Sequence, residues 1–431
     1  MIRSYWIETY GCQMNTAESN ALELQLKGAG LVPAKSAEDA DCAILNTCSV
    51  RKSAENRIWG RLGLFAHIKT LHPLTLIVTG CMAERLQEDL KDDAPHVDYV
   101  LGTNDKQKIL EVLISPESAE LRSETYSFGD SYYNEGEYSS YIPIMNGCNN
   151  FCSYCIVPYV RGREISRPVE EVLDEVRYLD SKEVKEITLL GQNVNSYHYE
   201  NDGKVITFPS LLERVCSVAG EIEWIRFESP HPKDFSDSLI RVIKEQPKVA
   251  KHLHIPMQSG NTRILGLMNR KYTRDRFLSL IETIKREIPE ATFATDVMVG
   301  FPSETEEEYQ DTLTALDEMG CIEAFMYYFN PREGTAAVTF PGEVPEEERG
   351  RRLTQLIHFQ HKIFVREKSE RAEGIAKVVV SAVSRNDKDQ MLGRTEHNEM
   401  VVFDGSSEVG SIVTVRLTGL KGNTYTGSLI V

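Results

Sequence analysis

Short apolar runs alternate with longer amphipathic stretches over the first 125 residues. Asn15 and Glu18, three residues apart, resemble a capping box that opens a helix after the first run. Apolar runs bounded by turn residues predict strands, here at 4–10, 42–47, 74–79 and 97–101. Because strands that alternate with helices favour parallel pairing, this region is expected to form a parallel α/β domain.

The same alternation resumes at residue 141 and continues to about residue 368. Helices follow the apolar runs, as at 168–179, where Pro168 suits a first helical turn. Six such units are too few for a closed eightfold barrel, so they predict an open, partial (β/α)6 barrel of the TIM type. Its chemistry should lie in the loops after the strands. The predicted strands are 141–145, 186–190, 223–228, 252–257, 291–299 and 322–329.

The pattern changes again after residue 369, where short β-prone runs are separated by glycines. They predict a small antiparallel β-barrel, a fold that often binds nucleic acid. The runs lie at 378–380, 400–403, 412–416 and 428–431. Residues 126–140 are polar and Tyr-rich without a period, and are interpreted as a linker. The predicted organisation is an α/β protein with domains at 1–125, 141–368 and 369–431.

The chain has 48 Lys and Arg against 65 Asp and Glu, which gives a net charge of −17. This balance argues against a general nucleic-acid surface, so any RNA site must be a local basic patch. The amino terminus lacks the apolar segment of a signal peptide, and no apolar run approaches the length of a membrane span. Nine Cys in such a chain are expected to be reduced thiols in the cytoplasm.

Three of these Cys lie within eight residues, at Cys148, Cys152 and Cys155. Three thiolates can hold three irons of a cubane cluster and leave the fourth iron open. The alternatives are a zinc knuckle or core thiols, but structural zinc usually takes four protein ligands, and no His or fourth Cys lies close by. The segment resembles the signature of radical S-adenosylmethionine (SAM) enzymes, in which SAM binds the open iron.

Three further Cys hold equivalent places, because Cys12, Cys48 and Cys81 follow the first, second and third predicted strands. Loops at the carboxyl edge of a parallel sheet converge on one crevice, so these thiols can meet and hold a second cluster. The alternative is a set of unrelated buried thiols. That is the interpretation for the Cys that lie inside apolar segments, which are Cys42, Cys216 and Cys321.

Polar residues at the strand ends of the partial barrel are candidates to hold SAM, because active-site loops lie there. Such residues more commonly mark only a turn. Tyr154, directly before the third loop Cys, is a candidate to stack near the SAM adenine. The strand-end candidates are Gly191, Gln192, Asn193, Glu228, Gln258 and Ser259.

Longer segments around these Cys resemble the radical SAM methylthiotransferase family. The surroundings of Cys12, Cys48 and Cys81 (Gly-Cys-Gln-Met-Asn, Asn-Thr-Cys-Ser-Val-Arg and Gly-Cys-Met-Ala-Glu) are similar to its amino-terminal domain. Residues 148–168 are similar to its radical SAM segment, and residues 393–398 resemble its carboxy-terminal TRAM domain. The residues after Cys12 are similar to the branch that acts on N6-dimethylallyladenosine in tRNA.

The resemblance implies two [4Fe–4S] clusters and SAM. The cluster of Cys148, Cys152 and Cys155 would reduce SAM to a 5′-deoxyadenosyl radical, while the second cluster would present a methylated sulfur. The methylthio group would then replace hydrogen at C2 of the modified adenosine. This C–H bond is unactivated, so no general base of ordinary pKa could remove its proton. The implied partners are the tRNA anticodon loop, an electron donor of flavodoxin or ferredoxin type and a sulfur source, with no membrane.

Two alternatives remain open at this point. The sister branch of the family acts on threonylcarbamoyladenosine in tRNA. An iron–sulfur protein that binds RNA or carries electrons would use no SAM, but it would ligate each cluster with four Cys, and the chain offers two sets of three.

Arginines near the two Cys sets are candidates to contact tRNA phosphates. A solvated helix face is the alternative for the basic string that follows Cys48. Glu399 departs from the family pattern, since a basic residue is expected there on the TRAM domain. The candidates are Arg51, Arg57, Arg61, Arg161 and Arg163.

Overall fold

The computed structural model describes residues 2–49, 52–115, 123, 125–129, 132–385 and 387–430. Within these ranges the chain forms a parallel α/β unit, a partial β/α barrel and a small closed β-barrel, which confirms the predicted fold class. In this part of the chain, every helix is either too short or too polar to cross a lipid bilayer.

The first unit is a parallel sheet with an apolar core on each face. Its strands are β1 Ser4–Thr9, β2 Val32–Pro33, β3 Cys42–Thr47, β4 Thr75–Gly80 and β5 Tyr99–Leu101. Its helices are α1 Gln13–Gly28, α2 Lys52–Leu71, α3 Cys81–Leu86, α4 Glu88–Asp93 and α5 Ile109–Ile114. The strand order is β2-β1-β3-β4-β5. Burial on both faces explains the continuous apolar run of β3.

The predicted capping box at the start of α1 is wrong. The helix begins at Gln13, and Asn15 lies inside it with its amide donating to the carbonyls of Tyr10 (2.7 Å) and Thr47 (3.0 Å). Glu18 is buried and bonds to groups outside the helix. These two polar residues therefore tie α1 to its surroundings rather than cap it.

The second unit is an open barrel of six main parallel strands built from two half-sheets in the described residues. The strands of this unit are β6 Ser139–Pro143, β7 Met145–Asn146, β8 Ile165–Ser166, β9 Glu186–Leu190, β10 His198–Asn201, β11 Lys204–Thr207, β12 Trp224–Phe227, β13 His252–His254, β14 Thr292–Val299 and β15 Glu323–Tyr328. One half-sheet has the order β12-β9-β6 and the other the order β13-β14-β15. A bridge between Ile225 and Val249 joins the halves.

Helices cover the outside of this barrel and share one large apolar core with its strands. They are α7 Val169–Ser181, α8 Phe208–Val218, α9 Asp237–Glu245, α10 Thr262–Leu267, α11 Arg274–Glu287, α12 Glu306–Met319 and α13 Glu346–Ser369. The short helix α6 Val157–Val160 packs instead against Cys81 of the first unit. Helix α12 begins with a capping box formed by Thr305 and Glu308.

The segment interpreted as a linker contains buried tyrosines in its described residues, 126–129 and 132–140. Tyr126, Tyr132 and Tyr133 are buried. The hydroxyl of Tyr126 donates to Glu18 at 3.1 Å, and Tyr132 packs in a small core with residues of α1. Their rings bury apolar area while their hydroxyls keep polar partners, so a Tyr-rich segment can serve as an interface between units.

The third unit is a closed barrel of strands β16 Glu373–Val383, β17 Gln390–Thr395, β18 Met400–Asp404, β19 Ile412–Lys421 and β20 Thr424–Leu429. The order around it is β16-β17-β18-β20-β19, and only the β18–β20 pair is parallel among these described strands. Glu399 is buried in this unit and accepts a hydrogen bond from Arg371 at 2.8 Å. Its acidic side chain is therefore part of the barrel interior and not of an RNA-binding face.

The turn between β17 and β18 docks on the amino-terminal ends of the barrel strands. Arg226 of β12 donates to the carbonyls of Glu396 (2.7 Å) and Thr395 (3.2 Å), and the backbone N–H of Lys251 donates to the Glu396 carboxylate at 3.0 Å. Arg394 pairs with Glu186, the first residue of β9. This end of the barrel is thereby covered, and the opposite, carboxyl end carries the Cys148 loop.

Candidate iron–sulfur and SAM site

The Cys148 loop leaves the carboxyl end of the first barrel strand through Gly147. This glycine has φ +83°, and a Cβ at its position would collide with the backbone carbonyl of Arg163. Its N–H donates to the side chain of Gln192 at 2.5 Å, and the N–H of Cys148 donates to the carbonyl of Gly162 at 3.1 Å. The loop is therefore folded back on its own continuation and held against the end of β9.

The three loop thiols lie together at the mouth of the barrel. Cys148 and Cys152 are buried and Cys155 is half-buried. Burial and then the neighbouring Cys152 raise the pKa of Cys155 to about 12. The guanidinium of Arg270 donates to the Cys152 sulfur at 3.4 Å. Because a bound cation stabilises thiolates while burial disfavours them, this pocket suits metal-bound sulfur better than free thiolate.

The amino-terminal thiols converge at the carboxyl edge of the first sheet. Gly11 has φ +118°, and a Cβ there would lie only 2.7 Å from Cβ of Cys48, so the turn before Cys12 rests directly on Cys48. Cys81, the first residue of α3, has a pKa raised by burial and, to a smaller degree, by Cys12 close by. Cys48 and Cys81 are buried, and Cys12 is exposed. The three strand-end thiols are thus gathered, as the sheet topology predicts.

One thiol of the amino-terminal set lies at the interface between the first and second units, next to the segment that follows the loop thiols. Cys81 forms a buried apolar cluster with Ile156 and Val160, which follow the third loop thiol. The hydroxyl of Thr103 donates to the carbonyl of Val160 at 2.7 Å across the same boundary. Cys81 of the amino-terminal set is therefore adjacent to the start of helix α6, where Ile156 directly follows Cys155.

No three His, Cys, Asp or Glu side chains of the described residues converge on one point as the ligands of a single ion do. Each thiolate of a cubane binds a different iron, so its ligands surround the cluster and do not meet. Both groups of three thiols have buried members and offer the sulfur donors that a [4Fe–4S] cluster takes.

The SAM candidates fall into two groups. Gln192 supports the Cys148 loop through Gly147, and Gly191 packs against Met145 beside it. Asn193 is buried and donates to Asp234 at 3.1 Å, while its amide oxygen has no partner among the described residues. These three residues lie next to the loop, where a ligand of the open iron would be bound.

Of the remaining strand-end candidates, Glu228 lines the cavity inside the barrel, whereas Gln258 and Ser259 do not. Gln258 has φ +67° and donates its N–H to the Asp296 carbonyl at 2.8 Å. Ser259 is fully buried and accepts from the N–H of Asn261 at 3.2 Å. Gln258 and Ser259 therefore shape a turn, which is the structural role weighed for them from the sequence.

A cavity of about 510 Å³ runs through the barrel lumen. All three units line it, with Gln13 from the first, Glu228 and Asp296 from the second and Arg394 and Asn398 from the third. Its wall carries fixed charges of both signs beside aromatic rings. A cavity of this size can hold a nucleoside-sized ligand.

His254 lies at the centre of this wall and was missed in the sequence. Its ring nitrogens contact Asp296 (2.8 Å) and Glu228 (3.0 Å). Burial disfavours its charged form, but Asp296 and Glu228 outweigh burial and raise the pKa of His254 to about 10. The sequence feature that could have identified it is the pair His252 and His254. Because Leu253 lies between them, both histidines are on one face of the strand.

We expect His254 to remain an imidazolium at about pH 7.5, while His231 remains neutral at about pH 5.5. Burial and then Arg270 lower the pKa of His231 to about 2, so the two buried histidines should sit in opposite states over this range. The ¹⁵N shifts of histidine-labelled protein report both states directly. Assignment by His254→Asn and His231→Asn identifies the signals, and a common titration near pH 6.5 for both would contradict the prediction.

Arg161, predicted to contact RNA, is turned inward, and that prediction is corrected by the structure. Only 2% of its side chain is exposed, and its guanidinium bonds to Glu18 (2.9 Å), Asn15 (2.8 Å) and Asn146 (2.9 Å). Lys106 pairs with the same carboxylate. A buried guanidinium with all these partners cannot reach a phosphate, because leaving the pair would strand Glu18 without its charge partner.

The other arginine candidates differ in their availability. Arg61 pairs with Glu8, so its charge is already matched. Arg57 and Arg163 are exposed, and neither forms an ion pair with a carboxylate of the described residues. Arg51 lies outside the described residues. Among these candidates, Arg57 and Arg163 are the ones that the structure presents to solvent as unpaired cations.

Comparison with family models divides the chain into three matched regions. Residues 4–102 match the Uncharacterized protein family UPF0004, residues 142–316 match the Radical SAM superfamily and residues 374–430 match the TRAM domain. The matched regions fall on the parallel unit, the open barrel and the closed barrel.

Two relatives align along nearly the whole chain. The tRNA-2-methylthio-N(6)-dimethylallyladenosine synthase of Treponema pallidum (strain Nichols) is 43% identical over 450 aligned residues, covering 99% of this chain and 99% of that protein. The synthase of the same name from Phocaeicola vulgatus is 42% identical over 437 aligned residues, covering 99% of this chain and 95% of that protein.

Among solved structures, the radical S-adenosylmethionine methyltransferase TsrM from Kitasatospora setae, with cobalamin and a [4Fe-4S] cluster bound, is similar in fold. The TM-score is 0.59 at 13% identity, covering 78% of this chain and 77% of that chain. At this identity the likeness supports the arrangement of strands and helices alone.

Proposed function

The chain belongs to the tRNA-2-methylthio-N(6)-dimethylallyladenosine synthase family, and we propose that it adds a methylthio group at C2 of N6-dimethylallyladenosine beside the tRNA anticodon. Full-length identity of 42–43% to the named synthases supports the activity. The observation that carries the proposal is that Cys81 of one three-thiol set packs in one buried cluster with Ile156, the residue that directly follows Cys155 of the other set. We assign the domain limits 1–125, 141–368 and 369–431 as part of this proposal.

We assign Cys148, Cys152 and Cys155 to one [4Fe–4S] cluster and Cys12, Cys48 and Cys81 to a second. When bound, the clusters and SAM would supply the radical chemistry and the sulfur that an unactivated C–H bond requires. The side chains of this protein hold the Cys148 loop in position and place a positive charge beside one of its sulfurs. Gln192 holds the loop turn, and the charge of Arg270 lies against the Cys152 sulfur.

The substrate base enters from the carboxyl end of the barrel. The β17–β18 turn covers the other end through Arg226 and Lys251, so a nucleobase cannot approach from there. A base that reaches the lumen must leave the stack of the anticodon loop, as bases in single-stranded RNA loops do when proteins read them. The charged wall of His254, Glu228 and Asp296 then lies beneath it.

Electrons and sulfur must come from partners. We propose a flavodoxin or ferredoxin as electron donor and a separate sulfur source, acting in the cytoplasm where tRNA is modified. Cys12 is exposed, in contrast to Cys48 and Cys81, so the second set of thiols is accessible from outside the protein. An exposed ligand gives a sulfur source access to that cluster without opening the fold.

We expect the reconstituted enzyme to methylthiolate tRNA that carries dimethylallyladenosine and to leave unmodified and threonylcarbamoyl-modified tRNA unchanged. The dimethylallyl group is a five-carbon apolar substituent, and each buried CH₂ contributes about 0.8 kcal/mol, so its absence should cost on the order of 1,000-fold in kcat/KM. Mass spectrometry of nucleosides from the three tRNAs measures the product.

Formation of 5′-deoxyadenosine, measured in the same reactions, shows that each enzyme preparation is active. Equal methylthiolation of threonylcarbamoyl tRNA would place the chain in the sister branch of the family. Methylthiolation of none of the tRNAs by a preparation that cleaves SAM would contradict the proposed function itself.

A further inference from the structure

An exposed group of aromatic and basic residues surrounds the Cys148 loop. Tyr159 in helix α6 is 55% exposed, although a large ring ordinarily gains by burial. The Phe151 ring meets it edge-to-face, with 6.0 Å between ring centroids. The guanidinium of Arg163 lies 4.4 Å from the centroid of Phe151. Phe151, Tyr159, Arg163 and the nearby Lys271 are together called the loop platform.

The platform is held rigidly by the loop that carries the thiols. Phe151 lies between Cys148 and Cys152 with φ +48°, a conformation that costs free energy for a residue with a bulky side chain. The side-chain amide of Asn269 donates to the Phe151 carbonyl at 2.8 Å, and Lys271 donates to the Asn269 oxygen at 2.5 Å. These hydrogen bonds therefore hold the backbone of Phe151 in place between the two thiols.

The two cations of the platform form no ion pair with the carboxylates that the structure describes. This holds for Arg163 and for Lys271, although Asp and Glu outnumber Lys and Arg by 17 over the whole chain. Two arginines in the same segments do have carboxylate partners: Arg161 pairs with Glu18, and Arg274 pairs with Glu318. Two unpaired cations beside an open ring on an acidic protein are complementary to a ligand that is both aromatic and anionic.

We propose that the loop platform binds an unstacked nucleobase of the anticodon loop next to the modified base. The base stacks on Tyr159, which Phe151 braces, and Arg163 and Lys271 contact the adjoining phosphates. This inference rests on the proposed function, since tRNA is its ligand. Proteins recognise single-stranded RNA loops by such stacking on aromatic side chains beside basic residues.

The position of the platform fits this role. Tyr159 belongs to the same short helix as Val160, which packs against Cys81, and it follows Cys155 by four residues. A base bound there lies at the boundary between both thiol sets, beside the end of the lumen that remains open. The neighbouring nucleotide would then be placed to enter the lumen. A protein partner would call for a broader apolar patch than one exposed ring offers.

The test measures the affinity of the intact, reconstituted enzyme for a dimethylallylated anticodon stem-loop RNA. Tyr159→Ala should weaken binding by about 5- to 150-fold, the range for loss of one base–aromatic stack, while Tyr159→Phe keeps the ring and should bind within about twofold of the parent. Arg163→Ala combined with Lys271→Ala should lower the slope of log Kd against log salt by about one per lost phosphate contact.

Tyr178→Ala is the matched control, because Tyr178 is also an exposed tyrosine (42%) beside a lysine, but it lies on helix α7. Its RNA affinity should equal that of the parent, and the iron content of all variants should be unchanged. Parent-like binding by Tyr159→Ala, or equal weakening by Tyr178→Ala, would overturn the platform while the proposed function stands. A parent enzyme that neither binds nor methylthiolates the RNA would instead overturn the proposed function.

Discussion

A Cys48→Ala variant should lose methylthiolation of tRNA and still cleave SAM, whereas Cys148→Ala should lose SAM cleavage as well. Each set of thiols comes from its own unit, so the loss of one ligand should leave the other set in place. Iron counting after anaerobic reconstitution should give about eight irons in the parent and about four in either variant, as two cubanes require. Product and 5′-deoxyadenosine are measured in the same reactions.

The choice of Cys48 follows from its position. Cys81 packs against Ile156 beside the Cys148 loop, so its replacement could disturb both sites, while Cys48 rests against Gly11 within the first unit. Cys216→Ala is the control, because Cys216 is a buried thiol in helix α8 that should keep both activities and all the iron. If Cys48→Ala keeps the parent's iron and still forms the methylthio product, Cys48 is a core thiol and the second cluster is wrong.

A Glu18→Gln variant should lose about 3–5 kcal/mol of unfolding free energy, the usual cost of removing one partner from a buried ion pair. Glu18 is buried against both Arg161 and Lys106, and Tyr126 also donates to it. The substitution leaves two buried cations without a countercharge at the junction of two units. Urea unfolding followed by circular dichroism measures the difference.

Glu23→Gln in the same helix is the control, because Glu23 pairs with Lys27 near the surface and should change stability by less than about 1 kcal/mol. Burial alone would raise the pKa of Glu18, but Arg161 and Lys106 lower it to about 2. Because the pKa of Glu18 is lower in the folded than in the unfolded protein, the ionised carboxylate stabilises the fold at pH values above the unfolded pKa of about 4.5. The difference in unfolding free energy between the parent and Glu18→Gln should therefore shrink as the pH falls from about 4.5 toward 2. Equal losses for the two variants at neutral pH would contradict the buried network.

The sequence predicted those features whose cause is local. Continuous apolar runs gave β3 and β9 with the bounds that the structure has, because strands buried on both faces have little choice of residue. Spacing alone picked out the Cys148 loop, and the position of Cys12, Cys48 and Cys81 after strands placed them at one sheet edge. Their role as cluster ligands stays a prediction.

Tertiary structure decided the features that depend on partners far away in the chain. Asn15 and Glu18 have capping-box spacing, yet they bond to Thr47 and to Arg161, which lies 143 residues beyond Glu18. Tyr132 looks like a linker residue until its packing against α1 is seen, and β17 was not predicted because two of its three buried positions hold Gly393 and Thr395 rather than large apolar residues. Composition and the periodicity of hydrophobic positions indicate whether a residue is exposed to water and which residues close to it in the chain it contacts. Which charge a buried side chain faces depends on how separate units pack, so the inward turn of Arg161 and the outward turn of Tyr159 emerged only in the folded chain.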